Sequence, residues 1–238
     1  MSDALARSRK QRLAQEWLCE RIYRPLAHLV VLALLPLRVP PPAVVLASAA
    51  AGVAGAVELA RGHLVVAALL VQLKTVLDNA DGQLARLSGR VTDFGRYLDS
   101  ECDLLVNAAL FAAIGWHAGN GVLAAAGFVA LTTVLSVNFN AERLAGGSQP
   151  ASSSARGVLA RVYAVLYGWQ DRLLERVIVP DRTAVVALAQ LGMSGQLAVL
   201  GLCVGIGRPL WAAWFALAQL PVAAALVLRP RRLQEEIA

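Results

Sequence analysis

The chain has little of what most soluble enzymes use for chemistry. Its three cysteines, Cys19, Cys102 and Cys203, are scattered and form no CxxC pair, which argues against a disulfide framework or a zinc site. The histidines are as few: His28, His63 and His117 stand apart and read singly as loop or interface residues. Charged residues make up 16% of the chain, against roughly 25% in a typical soluble domain. Met1 to Arg24 has no central apolar run and carries Arg7, Arg9, Lys10, Arg12, Arg21 and Arg24, so a cleavable signal peptide is not expected. No internal repeat is visible.

What the chain has in abundance is apolar sequence: 58% hydrophobic residues and a mean hydropathy of +0.58 over 238 residues. Soluble domains average roughly 45–50% apolar, so the composition points to an all-α, polytopic membrane protein. The net charge of +6 then suits an anionic membrane surface, and no nucleic-acid partner is expected.

Turn signals divide the apolar sequence into six expected transmembrane helices, at 41–60, 63–85, 93–116, 121–144, 183–206 and 208–228. Before them, residues 5–25 place Leu13, Trp17, Leu18 and Ile22 opposite a basic face, the pattern of an amphipathic interfacial helix. The run from His28 to Leu37 is too short to cross and is expected to be re-entrant or to continue that helix. The segment 145–182 opens with the linker-like "GGSQPASSSARG" and then repeats apolar residues at helical spacing, as a second interfacial helix would. One domain, 1–238, is expected: an interfacial region 1–38 and a bundle 41–228 that includes the cytoplasmic segment 145–182. Of the 22 basic residues only Arg61 and Arg208 fall in loops on the outer side, so the positive-inside rule puts both termini in the cytoplasm of a multi-pass cell-membrane protein.

Against this background, Asp78, Asp81, Asp99 and Asp103 are costly. A charge at the centre of a membrane helix costs about 2.5–3.5 kcal/mol on insertion scales. Asp78 and Asp81 are spaced to share one helix face, and so are Asp99 and Asp103. A short turn joins the two helices, so the pairs lie at one depth and can face each other. Four converging carboxylates repel unless cations neutralise them. Oxygen-only donors favour hard divalent ions, Mg²⁺ or Mn²⁺ with Ca²⁺ a possible occupant, and two such ions balance four charges. Thr75, Asp78, Gly82 and Ala85 form one stripe, and the small residues leave room for a ligand. Arg86 adds a phosphate fork at the membrane edge. Thr92 or Asp93 can cap the next helix, whose first amides also favour phosphate.

The full pattern is Asp78-x2-Asp81-Gly82-x2-Ala85-Arg86-x8-Gly95-x3-Asp99-x3-Asp103. It resembles the signature of the CDP-alcohol phosphotransferases, with every defining position occupied. The resemblance implies that the four aspartates hold two divalent ions and that Asp103 is also the general base. It further implies that Gly82, Ala85, Arg86 and Thr92 contact the CDP moiety, and that Gly95 lets helices approach closely. The reaction it implies is attack of a small polar alcohol on the lipid-linked phosphorus of CDP-diacylglycerol or a related CDP-alcohol, releasing CMP. It also implies a cytoplasmic active site and a homodimer, and Gly201-x3-Gly205 offers a small-residue helix face.

Members of the family resembling the phosphatidylinositol-phosphate synthases carry a basic pair late in the fourth span. Here "SVNFNAER" has Asn138 and Asn140 at those places, with Arg143 following. "PPPAV" likewise lacks the Thr and Asn common before the first span. Asn107, Asn140 and Arg143 are the candidate acceptor contacts, as polar residues within membrane helices. Two alternatives to the transferase are a cation-coupled transporter and a catalytically silent family member.

Overall fold

The computed structural model describes residues 14–146 and 182–227. The segment expected to form a second interfacial helix, the first thirteen residues and the C-terminal tail lie outside the described residues. Among the described residues every regular element is helical. A π-helical turn, Cys19–Tyr23, leads into α1 (Arg24–Leu34). Then follow α2 (Pro41–Ala60), α3 (Leu64–Leu87), α4 (Asp93–Ala118) and α5 (Gly121–Ala145). The chain ends in α6 (Arg182–Ala189), α7 (Met193–Gly205) and α8 (Leu210–Val227).

Local chemistry accounts for the boundaries. Pro40 is extended (ψ 134°), and the following prolines occupy the first turn of α2, where a missing N–H costs no helical bond. The turn between α3 and α4 passes through Gly89 (φ 66°), and Gly119 (φ 66°) closes α4 in the left-handed conformation that glycine adopts without strain. Thr92 and Asn120 each accept a backbone N–H at the starts of α4 and α5.

Helix α2 lies against α3 and α4, while α5 lies against α4 and α8. On the far side of α3 sits α7, and α1 also packs on α3. The main core joins Leu59, Val71, Leu110, Ile114, Leu197 and Val204. A second cluster ties Ala27 and Val31 of α1 to Val44, Ala80 and Leu84. Outside, large apolar side chains face away from the protein, among them Leu69, Leu105, Trp116 and Trp214. An exposed apolar surface of this extent needs lipid or protein to cover it.

Among the described residues, four stretches are long and apolar enough to cross a membrane: Pro41–Ala60, Gly121–Ala145, Arg182–Gly205 and Leu210–Val227. Helices stand at the six expected positions, but α3 and α4 are not among those four. Lys74, Asp78 and Asp81 on α3, and Glu101, Asp103 and Asn107 on α4, lower their apolar character. The expected fifth span is two helices, because Gln190 to Gly192 leave the helical path. Helix runs on from Trp17 to Leu34, so the apolar run after His28 continues the preceding helix and is not a separate re-entrant element.

The Gly201 end of the Gly201-x3-Gly205 face is occupied within the chain. A Cβ at Gly201 would stand 2.0 Å from Gln72 Nε2, and one at Gly205 would stand 3.4 Å from Ala68 Cβ. Gly201 is therefore buried against α3 within the chain, while Gly205 touches α3 and stays exposed.

Candidate metal and substrate site

The site is built where α3 and α4 face each other. Asp78, Asp99 and Asp103 each bring a carboxylate oxygen to within 4.8 Å of the other two, a spacing that can hold a metal ion. All three are partly buried. Asp81 lies a turn along α3, within electrostatic reach of Asp99, Asp78 and Asp103. Its side chain is buried, and Oδ2 has no hydrogen-bond partner. A buried carboxylate oxygen without a partner costs free energy unless a cation or donor meets it. Oxygen donors at this spacing, with one oxygen left over, fit a hard divalent ion.

Lys74 was not among the site residues expected from sequence. Its side chain is 1% exposed, and Nζ donates to Asp78 Oδ1 at 2.8 Å and to Asp103 Oδ1. The charge balance of four carboxylates against two divalent ions therefore omits a fifth charge. The signal was present: Lys74 stands four residues before Asp78, the helical ion-pair spacing, inside an apolar run where an ionisable residue is functional by default.

The expected CDP contacts fall on the last turns of α3 and at the start of α4. Arg86 folds back over Gly82, so that a Cβ at Gly82 would meet Arg86 Nη1 at 3.2 Å. The space at Gly82 thus admits the arginine fork. Ala85 and Arg86 are half-buried beside it. Thr92, not Asp93, caps α4, with Oγ1 accepting from Gly95 N at 3.1 Å, while Asp93 pairs with Arg96 at 2.6 Å. Gly95 does not mark a close helix approach: a Cβ there would meet only Thr92 Oγ1 of its own cap.

Deeper along α4, Asn107 is buried, its Oδ1 without a hydrogen-bond partner and its Nδ2 3.7 Å from Met193 Sδ. On α5, Asn140 Nδ2 donates to Ser136 O at 3.0 Å, and Arg143 Nη2 donates to Asn140 Oδ1 at 2.9 Å, both in buried surroundings. Their neighbours Val137 and Ala141 pack with Val185, Leu188 and Ala223 of α6 and α8. A groove of about 480 Å³ lies elsewhere, near the loop joining α4 and α5, lined by Phe111, Gly115, Trp116 and Phe128.

The opposite face of α3 carries a neutral polar network. Tyr23 Oη donates to Gln72 Oε1, and Gln72 Nε2 donates to Leu197 O at 3.2 Å. Cys19 Sγ meets Asn79 Oδ1 at 3.0 Å, and Asn79 Nδ2 donates to Ser194 Oγ at 3.2 Å. Glu16 accepts from Gly195 N at the start of α7. Burial, assisted by the nearby Glu16 and Cys19, pushes the Tyr23 phenol up to about 12, so it stays a neutral donor.

Residues 37–193 match the CDP-alcohol phosphatidyltransferase family. The chain is 34% identical over 192 residues to a phosphatidylinositol phosphate synthase of Corynebacterium glutamicum, covering 80% of this chain and 76% of that one. It is 35% identical over 103 residues to a bifunctional IPC transferase and DIPP synthase of Rubrobacter xylanophilus, covering 43% of this chain and 24% of the relative. Among solved structures it is similar to the phosphatidylinositol phosphate synthase of Mycobacterium tuberculosis in complex with manganese and citrate. That likeness has 24% identity and a TM-score of 0.44, covering 79% of this chain and 88% of the other. The chain belongs to the CDP-alcohol phosphatidyltransferase family, enzymes that transfer phosphatidyl groups.

Proposed function

We propose that this protein transfers the phosphatidyl group of CDP-diacylglycerol to the hydroxyl of a small polar alcohol and releases CMP. The observation that carries the reading is the approach of Asp78, Asp99 and Asp103 to within 4.8 Å of one another, inside the family's own residue pattern. Asp81 adds the fourth carboxylate. Bound among these four, two divalent ions, Mg²⁺ or Mn²⁺ with Ca²⁺ as another hard occupant, would neutralise the diphosphate and stabilise the departing CMP.

The chain's own residues do the rest. Arg86, seated over Gly82, presents a fork to phosphate oxygen, and the small Ala85 beside it leaves space for the nucleotide. Thr92 and the first turn of α4, with Gly95, offer a hydroxyl and backbone amides to the same headgroup. Asp103 Oδ1 is held by Lys74, which leaves Oδ2 to accept the proton of the attacking hydroxyl. The acceptor oxygen then forms its bond to the lipid-linked phosphorus as the bond from that phosphorus to the CMP oxygen breaks. CMP leaves with the electron pair.

Asn107, Asn140 and Arg143 are placed on the acceptor side, with Arg143 meeting an anionic group if the acceptor carries one. We read the chain as one domain whose six long helical segments cross the cell membrane. The N-terminal helix lies in the interface, both termini and the site face the cytoplasm, and the protein works as a homodimer. The test is purified protein supplied with CDP-diacylglycerol, Mg²⁺ or Mn²⁺, and in turn inositol, inositol phosphate, glycerol phosphate and serine. Acceptor-dependent CMP release is the expected result. Ion flux in vesicles without CMP release from any acceptor would replace the transferase with a transporter, and neither activity would mark a silent member.

A further inference from the structure

Lys74 is held in place from every side. Its ammonium bonds Asp78 Oδ1 at 2.8 Å and also Asp103 Oδ1. Its stem runs beneath Gly52, where a Cβ would stand 3.2 Å from Lys74 Cγ and 2.3 Å from Val106 Cγ1. Ser48 Oγ donates to the Lys74 carbonyl at 3.1 Å. The Lys74 side chain is 1% exposed, so its ammonium is withdrawn from water while the two carboxylates it bonds are only partly buried. Leaving the carboxylates would strand a buried, unpaired charge, which is strongly unfavourable.

From this geometry we infer that Lys74 is a permanent third cation of the carboxylate cage, present beside the divalent ions and not exchanged for them. It takes one oxygen from Asp78 and one from Asp103, and each keeps a second oxygen for an ion or a proton. Two functions follow. Without ions, Lys74 holds α3 and α4 together across the cluster, so the site persists between turnovers. With ions, its positive charge weakens their binding. Lys74 is thus a positioning residue for Asp103 and sets the affinity of the site for its metals.

This inference rests on the divalent-ion reading of the cage, and the two are separable by experiment. Mn²⁺ binding to the purified full-length protein in detergent, without substrate, is followed by electron paramagnetic resonance, and melting is followed in EDTA. Lys74→Met should bind Mn²⁺ about tenfold more tightly or better, since a like charge at contact distance in a site of low dielectric is gone. In EDTA the same variant should melt earlier than the wild type, and Mn²⁺ should restore it. Lys74→Arg keeps the charge and should retain near wild-type affinity. Should Lys74→Met fail to fold, Lys74→Gln, a neutral donor, takes its place with the same expected tightening. Mn²⁺ affinity unchanged or weakened in the neutral variant would overturn the inference and leave Lys74 a structural partner of Asp78. Absence of saturable Mn²⁺ binding in the wild type would overturn the divalent-ion reading and this inference with it.

Discussion

Helix α3 buries polar side chains on two opposite faces, and the faces solve the problem differently. Toward the N-terminal helix and α7, Gln72 and Asn79 are neutral and meet Tyr23, Leu197 O, Cys19 and Ser194. Toward α4, Lys74, Asp78 and Asp81 are charged. Lys74 pairs with Asp78 and Asp103, and the buried Asp81 Oδ2 has no hydrogen-bond partner among the described residues. A buried network whose members satisfy one another stabilises a packing, whereas one left with surplus charge requires something from outside. The first face is fastening; the second is a receptor for cations. Charge type and degree of satisfaction, more than burial, separate structure from function on this helix.

The most damaging way to break the comparison acts on the charged face. Asp78→Ala or Asp99→Ala should abolish CMP release, and excess EDTA should do the same to the wild type. Full activity in EDTA would reduce the charged face to a second fastening. Next in size is Asp103→Asn, which keeps the shape and one oxygen but loses the base. Single-turnover rates should fall by about 10²–10⁴-fold while CDP-lipid binding persists; an unaltered rate would move the proton acceptor elsewhere.

Ala85→Leu sharpens the boundary of that face. Leucine suits the helix but fills the space beside Arg86, so the KM for CDP-diacylglycerol should rise without loss of folded protein. No change in KM would put the nucleotide on another stripe. On α5, Arg143→Ala should raise the KM for an anionic acceptor by about tenfold, the worth of a charge-assisted hydrogen bond, and leave the CDP-lipid KM alone. A rise shared by both substrates would indicate lost packing around Asn140 instead.

The smallest effect on catalysis belongs to the neutral face. Gln72→Leu removes the partner of Tyr23 and of Leu197 O, and should cost about 1–3 kcal/mol of stability, read as a lowered melting temperature. Activity per folded molecule and the Mn²⁺ requirement should both persist. If that variant instead lost its metal dependence, the two faces would be one coupled unit.

Much of this molecule was legible before any coordinates. Apolar runs and their breakers placed α2, α3, α4, α5 and α8 to within a few residues, because hydrophobic length and Gly or Pro interruption are local properties. The spacing of Asp78, Asp81, Asp99 and Asp103, with Gly82, Ala85 and Arg86 between them, pointed to a divalent-ion and diphosphate site, since helical periodicity converts sequence spacing directly into shared faces. The resemblance of that pattern to the family signature implied the reaction class. Tertiary structure decided what depends on which surfaces meet. Lys74 gained its meaning only when α4 brought Asp103 beside it. Gly201 turned inward because Gln72 of α3 packs against it. The break at Gln190 to Gly192 coincides with the place where Trp17 N donates to Gln190 Oε1 and Glu16 receives the amide of Gly195. Each of these contacts joins residues far apart in the chain. A sequence states what each segment can bury, and packing selects the partner against which it does so.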